Sequence, residues 1–282
     1  MIDCHAHVWN PADGYPWIRP GSPHHRAYRV ADLARSGAGL DVTGTVLVEA
    51  SRGDAGETDT LRAARTAHPD TVAGYVGNLH VYGDAGPDRF RALLDDLADD
   101  RPNGMRLGGR TWSATPEPAR ALLDVLAEYG MALDLNLGAG ALRTAADVAD
   151  RYPGLTVVVD HLGNPGNLTT DDPSDWLRDL AYAAGRAGVV VKISGLLTQQ
   201  RGVPAGRVAE LVRRVVDAVG PDRCVLGSDW PICLPAGSRA EALRLAGSGL
   251  AGLTAAERRR VRHDTPVRVY RLRRLTTLTR PC

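Results

Sequence analysis

Lysine is almost missing from this chain: Lys192 is the single one in 282 residues, and every other basic side chain is arginine. A GC-rich coding sequence produces that bias, with its excess of alanine, so no basic residue marks function by type alone. Cysteine is scarce and scattered. Cys4, Cys224, Cys233 and Cys282 show no CxxC spacing, which argues against a disulfide framework or a cysteine-rich zinc site and leaves reduced thiols as the expectation. An excess of either charge is missing too: 34 Lys plus Arg stand against 33 Asp plus Glu, so no sequence-wide field draws in nucleic acid or acidic lipid. No apolar run nears the roughly 18 residues of a spanning helix. The opening MIDCHAHVWN lacks the basic stretch and apolar core of a secretion signal, so a cytoplasmic protein is expected.

What is present is globular in proportion. Hydrophobic residues make up 44% and charged residues 24%, which sets aside disordered, collagen-like and coiled-coil chains. Short runs rich in Val, Ile and Leu recur at 2–8, 43–49, 71–77, 104–107, 131–137, 156–161, 189–194 and 224–229. Continuous apolar runs rather than alternating ones are the mark of parallel strands buried on both faces. Between them the spacing predicts helices, with Phe90, Leu93, Leu94 and Leu97 on one face, Leu122, Leu123, Leu126 and Tyr129 on another, and Val208, Leu211, Val212, Val215 and Val219 on a third. Gly130, Gly154, Gly188 and Gly220 stand just before strands, where a helix cap or an αβ turn uses glycine. Eight strands alternating with helices over this length fit an α/β fold, a (β/α)8 TIM barrel, as one domain across 1–282. The regular barrel is expected to end near 270, with an arginine-rich tail at 271–282, and the Pro- and Gly-rich loop 10–25 should wall or cover the mouth.

The chemistry concentrates at expected strand ends, where barrel catalytic groups lie. In Asp3-Cys4-His5-Ala6-His7 the i, i+2 spacing puts both imidazoles on one face of a strand. His161 ends the sixth run and Asp229 the eighth. Any one of these is as readily a turn or capping residue. Together, His5, His7, His161 and Asp229 supply three imidazoles and a carboxylate, a donor set for one divalent ion such as Zn or Mn with a position left open.

The order of motifs carries more. The HxH is followed by Trp9, Tyr15-Pro16-Trp17, Val46-Leu47-Val48-Glu49, Gly104-Met105-Arg106, Asp160-His161-Leu162-Gly163-Asn164-Pro165, Lys192-Ile193-Ser194-Gly195-Leu196 and Gly227-Ser228-Asp229-Trp230-Pro231. This series resembles the amidohydrolase-2 branch of the amidohydrolase superfamily, more narrowly its sugar-lactone and pyrone-dicarboxylate lactonase group. The resemblance implies a distorted barrel hydrolysing a lactone, with one metal or none. It also implies Asp229 as general base and His161 beside the reacting carbonyl. Two positions depart from the group: Leu107 follows Arg106 where histidine is common, and Leu79-His80 stands where an acidic residue is frequent. Both bear on substrate contacts.

Around that quartet, Arg106 is a candidate for holding a substrate carboxylate or an oxyanion, against the alternative of a structural ion pair. Glu49 is a candidate substrate contact or ligand, or else the buried partner of an arginine. Asn136, Trp17 and Trp230 complete the substrate-binding candidates, with packing the competing role for the tryptophans. His24, His25, His68, His80 and His263 match no motif and read as loop or surface residues. The expected partner is a small molecule, with no nucleic acid and no membrane. A metal-dependent decarboxylase, or a non-catalytic barrel within a biosynthetic pathway, are the competing functions.

Overall fold

The computed structural model describes residues 1–273; positions 274–282, with most of the expected arginine-rich tail and Cys282, lie outside it. Eight strands run β1 (Ile2–Ala6), β2 (Gly44–Val48), β3 (Val72–Asn78), β4 (Gly104–Gly109), β5 (Ala132–Leu137), β6 (Thr156–Val159), β7 (Val189–Ile193) and β8 (Cys224–Leu226). They pair in parallel in sequence order. Between β8 and β1 the ring shuts through backbone contacts just past the strands, Asp229 N to His5 O at 2.8 Å and His7 N to Trp230 O at 2.7 Å. The fold is a distorted (β/α)8 barrel. No helix among the described residues is long and apolar enough to cross a membrane.

The expected helices form where the apolar spacing placed them. Phe90 and Leu94 are buried on the helix Gly86–Leu97, and Val208, Leu211, Val212, Val215 and Val219 on Ala205–Val219. The helix Leu123–Tyr129 ends at Gly130, whose φ of 61° is the left-handed cap that glycine adopts without a Cβ clash. These helices cover the outward side chains of the strands, such as Leu133, Leu135, Leu137, Val157 and Val159. The inward side chains alternate with them. At the floor, Ile2, Cys4, Val46, Val76, Ala132, Val158, Val190 and Val225 pack together with Val269 and Tyr270 from the C-terminal helix region.

Above that apolar floor the same faces turn charged. On β5 the inward series is Ala132, Asp134, Asn136; β7 gives Val190 and Lys192; past β6 comes Asp160. Lys192 and both carboxylates are fully buried; its Nζ pairs with Asp134 and lies 2.7 Å from Asp160 Oδ1, while Tyr270 donates its hydroxyl to Asp134 at 3.0 Å. Burial works against an ammonium here, but Asp134 and Asp160 outweigh it and raise the Lys192 pKa above its ordinary value.

A bulge sets the phase of β1. Asp3 pairs with Thr45 and Ala6 with Leu47, so β1 spends one residue more than β2 over that stretch. The extra residue re-phases the alternation: Cys4 lies in the floor and His5 still enters the interior.

Replacing Lys192 with Met keeps much of the volume but strands two buried carboxylates. Denaturant titration at pH 8 should show a loss of about 3–5 kcal/mol, and part of it should return at pH 5, where an orphaned buried carboxyl takes up a proton.

Candidate active site

The structure brings His5, His7, His161 and Asp229 to one point at the carboxyl end of the barrel. Ligand atoms of His5, His161 and Asp229 lie within 4.8 Å of one another. His7 joins them, its Nε2 3.2 Å from His5 Nε2 and 3.5 Å from Asp229 Oδ1. The strand boundaries differ from the sequence reading: His161 and Asp229 stand beyond β6 and β8, not on them, and both have left-handed backbones, φ 52° and 59°. That turn of the chain, rather than strand pleating, aims their side chains. Two glycines make room. A Cβ at Gly227 would stand 2.5 Å from the His5 Cβ, and one at Gly195, φ 70°, would stand 2.7 Å from His161 Nδ1.

The outer ring nitrogens define which atoms face the centre. His7 Nδ1 is 2.8 Å from the Val48 carbonyl, which can only accept, so Nδ1 carries a hydrogen and the Nε2 edge faces the centre. His5 Nδ1 lies 3.4 Å from the Asp160 carboxylate, which favours the same tautomer. His161 Nδ1 meets Ser194 Oγ at 2.9 Å; the hydroxyl can donate or accept, so His161 Nε2 can serve as ligand or as donor. Imidazoles whose outer N–H is held by a carbonyl or carboxylate, with their other nitrogens and a carboxylate converging on one point, are arranged as metal-binding histidines are. The donor set therefore fits a divalent ion.

Burial disfavours the charged form of His5 and His161. It lowers His161 below the ordinary value and His5 well below it, against the opposing pull of Asp160 and Asp229. Burial would raise Asp229, yet His161, the hydrogen bond from His7, and His5 overcome it and bring the carboxyl down to about 2. Asp229 is thus ionised throughout the neutral range.

Beside the quartet opens a cavity of about 520 Å³ lined by Glu49, Asn78, His80, Arg106, Asn136 and Asn164 among others. Glu49 and Arg106 are both buried and are each other's partner, Nε to Oε1 at 2.5 Å, which is the ion-pair role among the alternatives weighed from the sequence. Asn136 is half-buried on the wall. His80, read as a loop residue, lines the cavity and donates from Nε2 to the Gly108 carbonyl at 2.9 Å. Trp17 lies at the rim with Nε1 donating to Ala50 O at 2.6 Å. Trp230 is only 2% exposed and packs edge-on to Tyr28 at 5.5 Å, which leaves little ring face for stacking on a substrate. His24, unassigned from sequence, packs against Trp9 and Trp17 in the loop after β1.

Sequence reasoning missed the charged residues that hold this group in place. Asp160 lies inside the sixth run, just before a motif histidine, and draws no role of its own from the sequence. Asp3 and Arg239 are 236 positions apart, so no local pattern joins them. Asp3 accepts from Ser228 N at 2.9 Å and Oγ at 2.7 Å, and from Arg239 Nε at 3.0 Å and Nη2 at 2.8 Å. Arg239, at the start of the helix Arg239–Ala246, also donates to Thr45 Oγ1 and Leu33 O. This clamp grips the residue before Asp229 while the His5 carbonyl takes the Asp229 N–H.

Comparison with known proteins agrees with the motif series. A family model described as Amidohydrolase matches residues 2–272. The chain is 30% identical over 251 residues to an L-fucono-1,5-lactonase of Burkholderia ambifaria, covering 84% of this chain and 82% of the relative. It is 29% identical over 306 residues to an L-fucono-1,5-lactonase of Burkholderia multivorans, covering 96% of each. A crystal structure of an amidohydrolase from Burkholderia multivorans with bound Zn superposes with a TM-score of 0.82 at 26% identity, covering 96% of this chain and 99% of that one.

If the clamp fixes the pose of Asp229, Arg239→Met should lower kcat at least about tenfold with KM little changed, because a misplacement near 1 Å costs up to about a hundredfold. Steady-state kinetics on folded protein checks this, and denaturation should show the buried, unpaired Asp3 as a loss of about 3–5 kcal/mol. Unchanged kcat would remove the clamp from catalysis.

Proposed function

The chain belongs to the amidohydrolase family and is a hydrolase, and from that premise we propose that it opens the ring ester of a small, oxygen-rich lactone. The observation that carries the reading is the buried Asp229 carboxylate gathered with three imidazoles beside a polar cavity. Relatives named as lactonases support the ester substrate.

Asp229 accepts a proton from water as the water oxygen attacks the lactone carbonyl. A carboxyl with a pKa near 2 is a strong acid once protonated. It therefore surrenders that proton to the ring oxygen as the acyl–oxygen bond breaks, and the products are a hydroxyl group and a carboxylic acid, which ionises by releasing its remaining proton to water. His161, with Ser194 donating to its Nδ1, can offer Nε2–H to the carbonyl oxygen as negative charge develops there. His5, His7, His161 and Asp229 are the residues that would hold one Zn or Mn ion. Such an ion, when bound, supplies Lewis-acid polarisation of the carbonyl.

Asp229→Asn keeps the shape and removes charge and basicity, so turnover of lactones should fall at least about a hundredfold while the protein stays folded. Release of carbon dioxide on product analysis would overturn the hydrolytic reading in favour of decarboxylation. The pH profile of kcat/KM should be level from pH 8 down through the ordinary imidazole range, since burial holds His5 and His161 neutral there, and should fall only in acid as Asp229 takes up its proton. Elemental analysis of gently purified protein should find at most about one transition metal per chain, with binding lost in His5→Ala.

A further inference from the structure

Resting on the lactone reading, we propose that Glu49 is a specificity-determining residue: by closing an ion pair with Arg106 it makes the cavity select lactones whose substituents are uncharged hydroxyls and reject those that carry a free carboxylate. Arg106 is the only basic side chain, histidine aside, among the residues lining this cavity. A carboxylate is gripped best by two parallel N–H groups on one edge of a guanidinium. That edge is taken: Arg106 Nε donates to Glu49 Oε1 at 2.5 Å, and Nη2 donates to the Glu49 backbone carbonyl at 2.8 Å. The remaining nitrogen, Nη1, lies 3.9 Å from Asp160 Oδ2. A substrate carboxylate would find only the end-on edge, where Nη2 already reaches Ser51 Oγ at 3.4 Å and Nη1 faces Asp160, flanked by two anions.

Glu49 cannot swing aside at little cost. Its Oε2 accepts from Ser51 N at 2.7 Å and from Asn78 Nδ2 at 3.1 Å, and Asn78 Oδ1 in turn accepts from His80 N at 3.0 Å. The wider balance points the same way. Through the contiguous network of the barrel centre, the cations Arg106 and Lys192 face the carboxylates Glu49, Asp134, Asp160 and Asp229. A divalent ion at the quartet would bring that set only to neutrality, so the site has no positive charge to spare for an anionic substituent.

The free groups on the wall suit hydroxyls. The Asn136 amide, which makes no hydrogen bond among the described residues, offers both donors and an acceptor. His80 spends Nε2–H on the Gly108 carbonyl, which fixes the ring's orientation and turns the Nδ1 edge away from that bond. A hydroxyl both donates and accepts and can satisfy either one; a carboxylate only accepts.

The test compares two substrates that differ at one position: a hexono-1,5-lactone bearing a hydroxymethyl group, and the matching lactone bearing a carboxylate there. The wild-type protein should prefer the neutral lactone in kcat/KM by at least about tenfold. Glu49→Gln, which keeps the shape and frees the Arg106 charge, should narrow that ratio by about tenfold. Raising salt from about 0.05 to about 0.5 M should help the carboxylate lactone more than the neutral one in wild-type protein, which keeps the proposal testable should Glu49→Gln not fold. A wild-type preference for the carboxylate lactone, or an unchanged ratio in folded Glu49→Gln, would overturn it. Calorimetric binding of the two corresponding lactams separates the two readings: if neither lactone is turned over, lactone hydrolysis fails, and the ratio of lactam affinities still decides for or against Glu49.

Discussion

Lys192 Nζ ties Asp134 of β5 to Asp160 at the end of β6, and Asp160 in turn lies against His5 from β1 and Arg106 from β4. Five parts of the ring are therefore held in mutual register by charges that have no water to turn to. A buried ion pair is not a large source of net stability, since the desolvation of each ion offsets much of the attraction. Its effect is on geometry. Once Lys192 is placed, Asp160 has one comfortable position, and that position presents its carboxylate to His5 Nδ1. The orientation of the His5 imidazole is thus set by Lys192, two contacts away.

The fold was legible because the physics that makes it is local. Runs such as Val157 to Val159 and Val189 to Val191 have no polar face, and only a strand covered on both sides satisfies that pattern. The quartet was legible for a related reason: polar residues ending apolar runs are conspicuous. What lay beyond the sequence was register and long-range pairing. The bulge in β1 exists only relative to β2, so alternation within Asp3-Cys4-His5 could not say which side chain faces inward. The left-handed turns at His161 and Asp229 were read as strand. Stacking and packing both stand open for Trp230 in the sequence, and the loop after β1 brings Tyr28 against it and buries it.

The pairing of Glu49 with Arg106 shows why a residue's type gives little warning of its task. From sequence, an arginine at a strand end beside a cavity suggests an anion clamp. The neighbouring strand decides otherwise, because β2 delivers a carboxylate and its own backbone carbonyl to the same guanidinium edge. The arginine then supplies rigidity and a partly used donor, and the cavity stays close to electrically balanced. Such a surface also favours turnover: hydrolysis of a neutral lactone creates a carboxylate inside a site with no surplus positive charge to retain it.

The Asp3–Arg239 clamp has a temporal side. During synthesis at about 5–20 residues per second, Asp3 leaves the ribosome before its partner 236 positions later, an interval on the order of tens of seconds. Throughout that time the HxH segment exists without Ser228, Asp229 or the helix that anchors them. A nascent chain that has not yet delivered Arg239 therefore carries every histidine of the site without the clamp that holds the residue before Asp229.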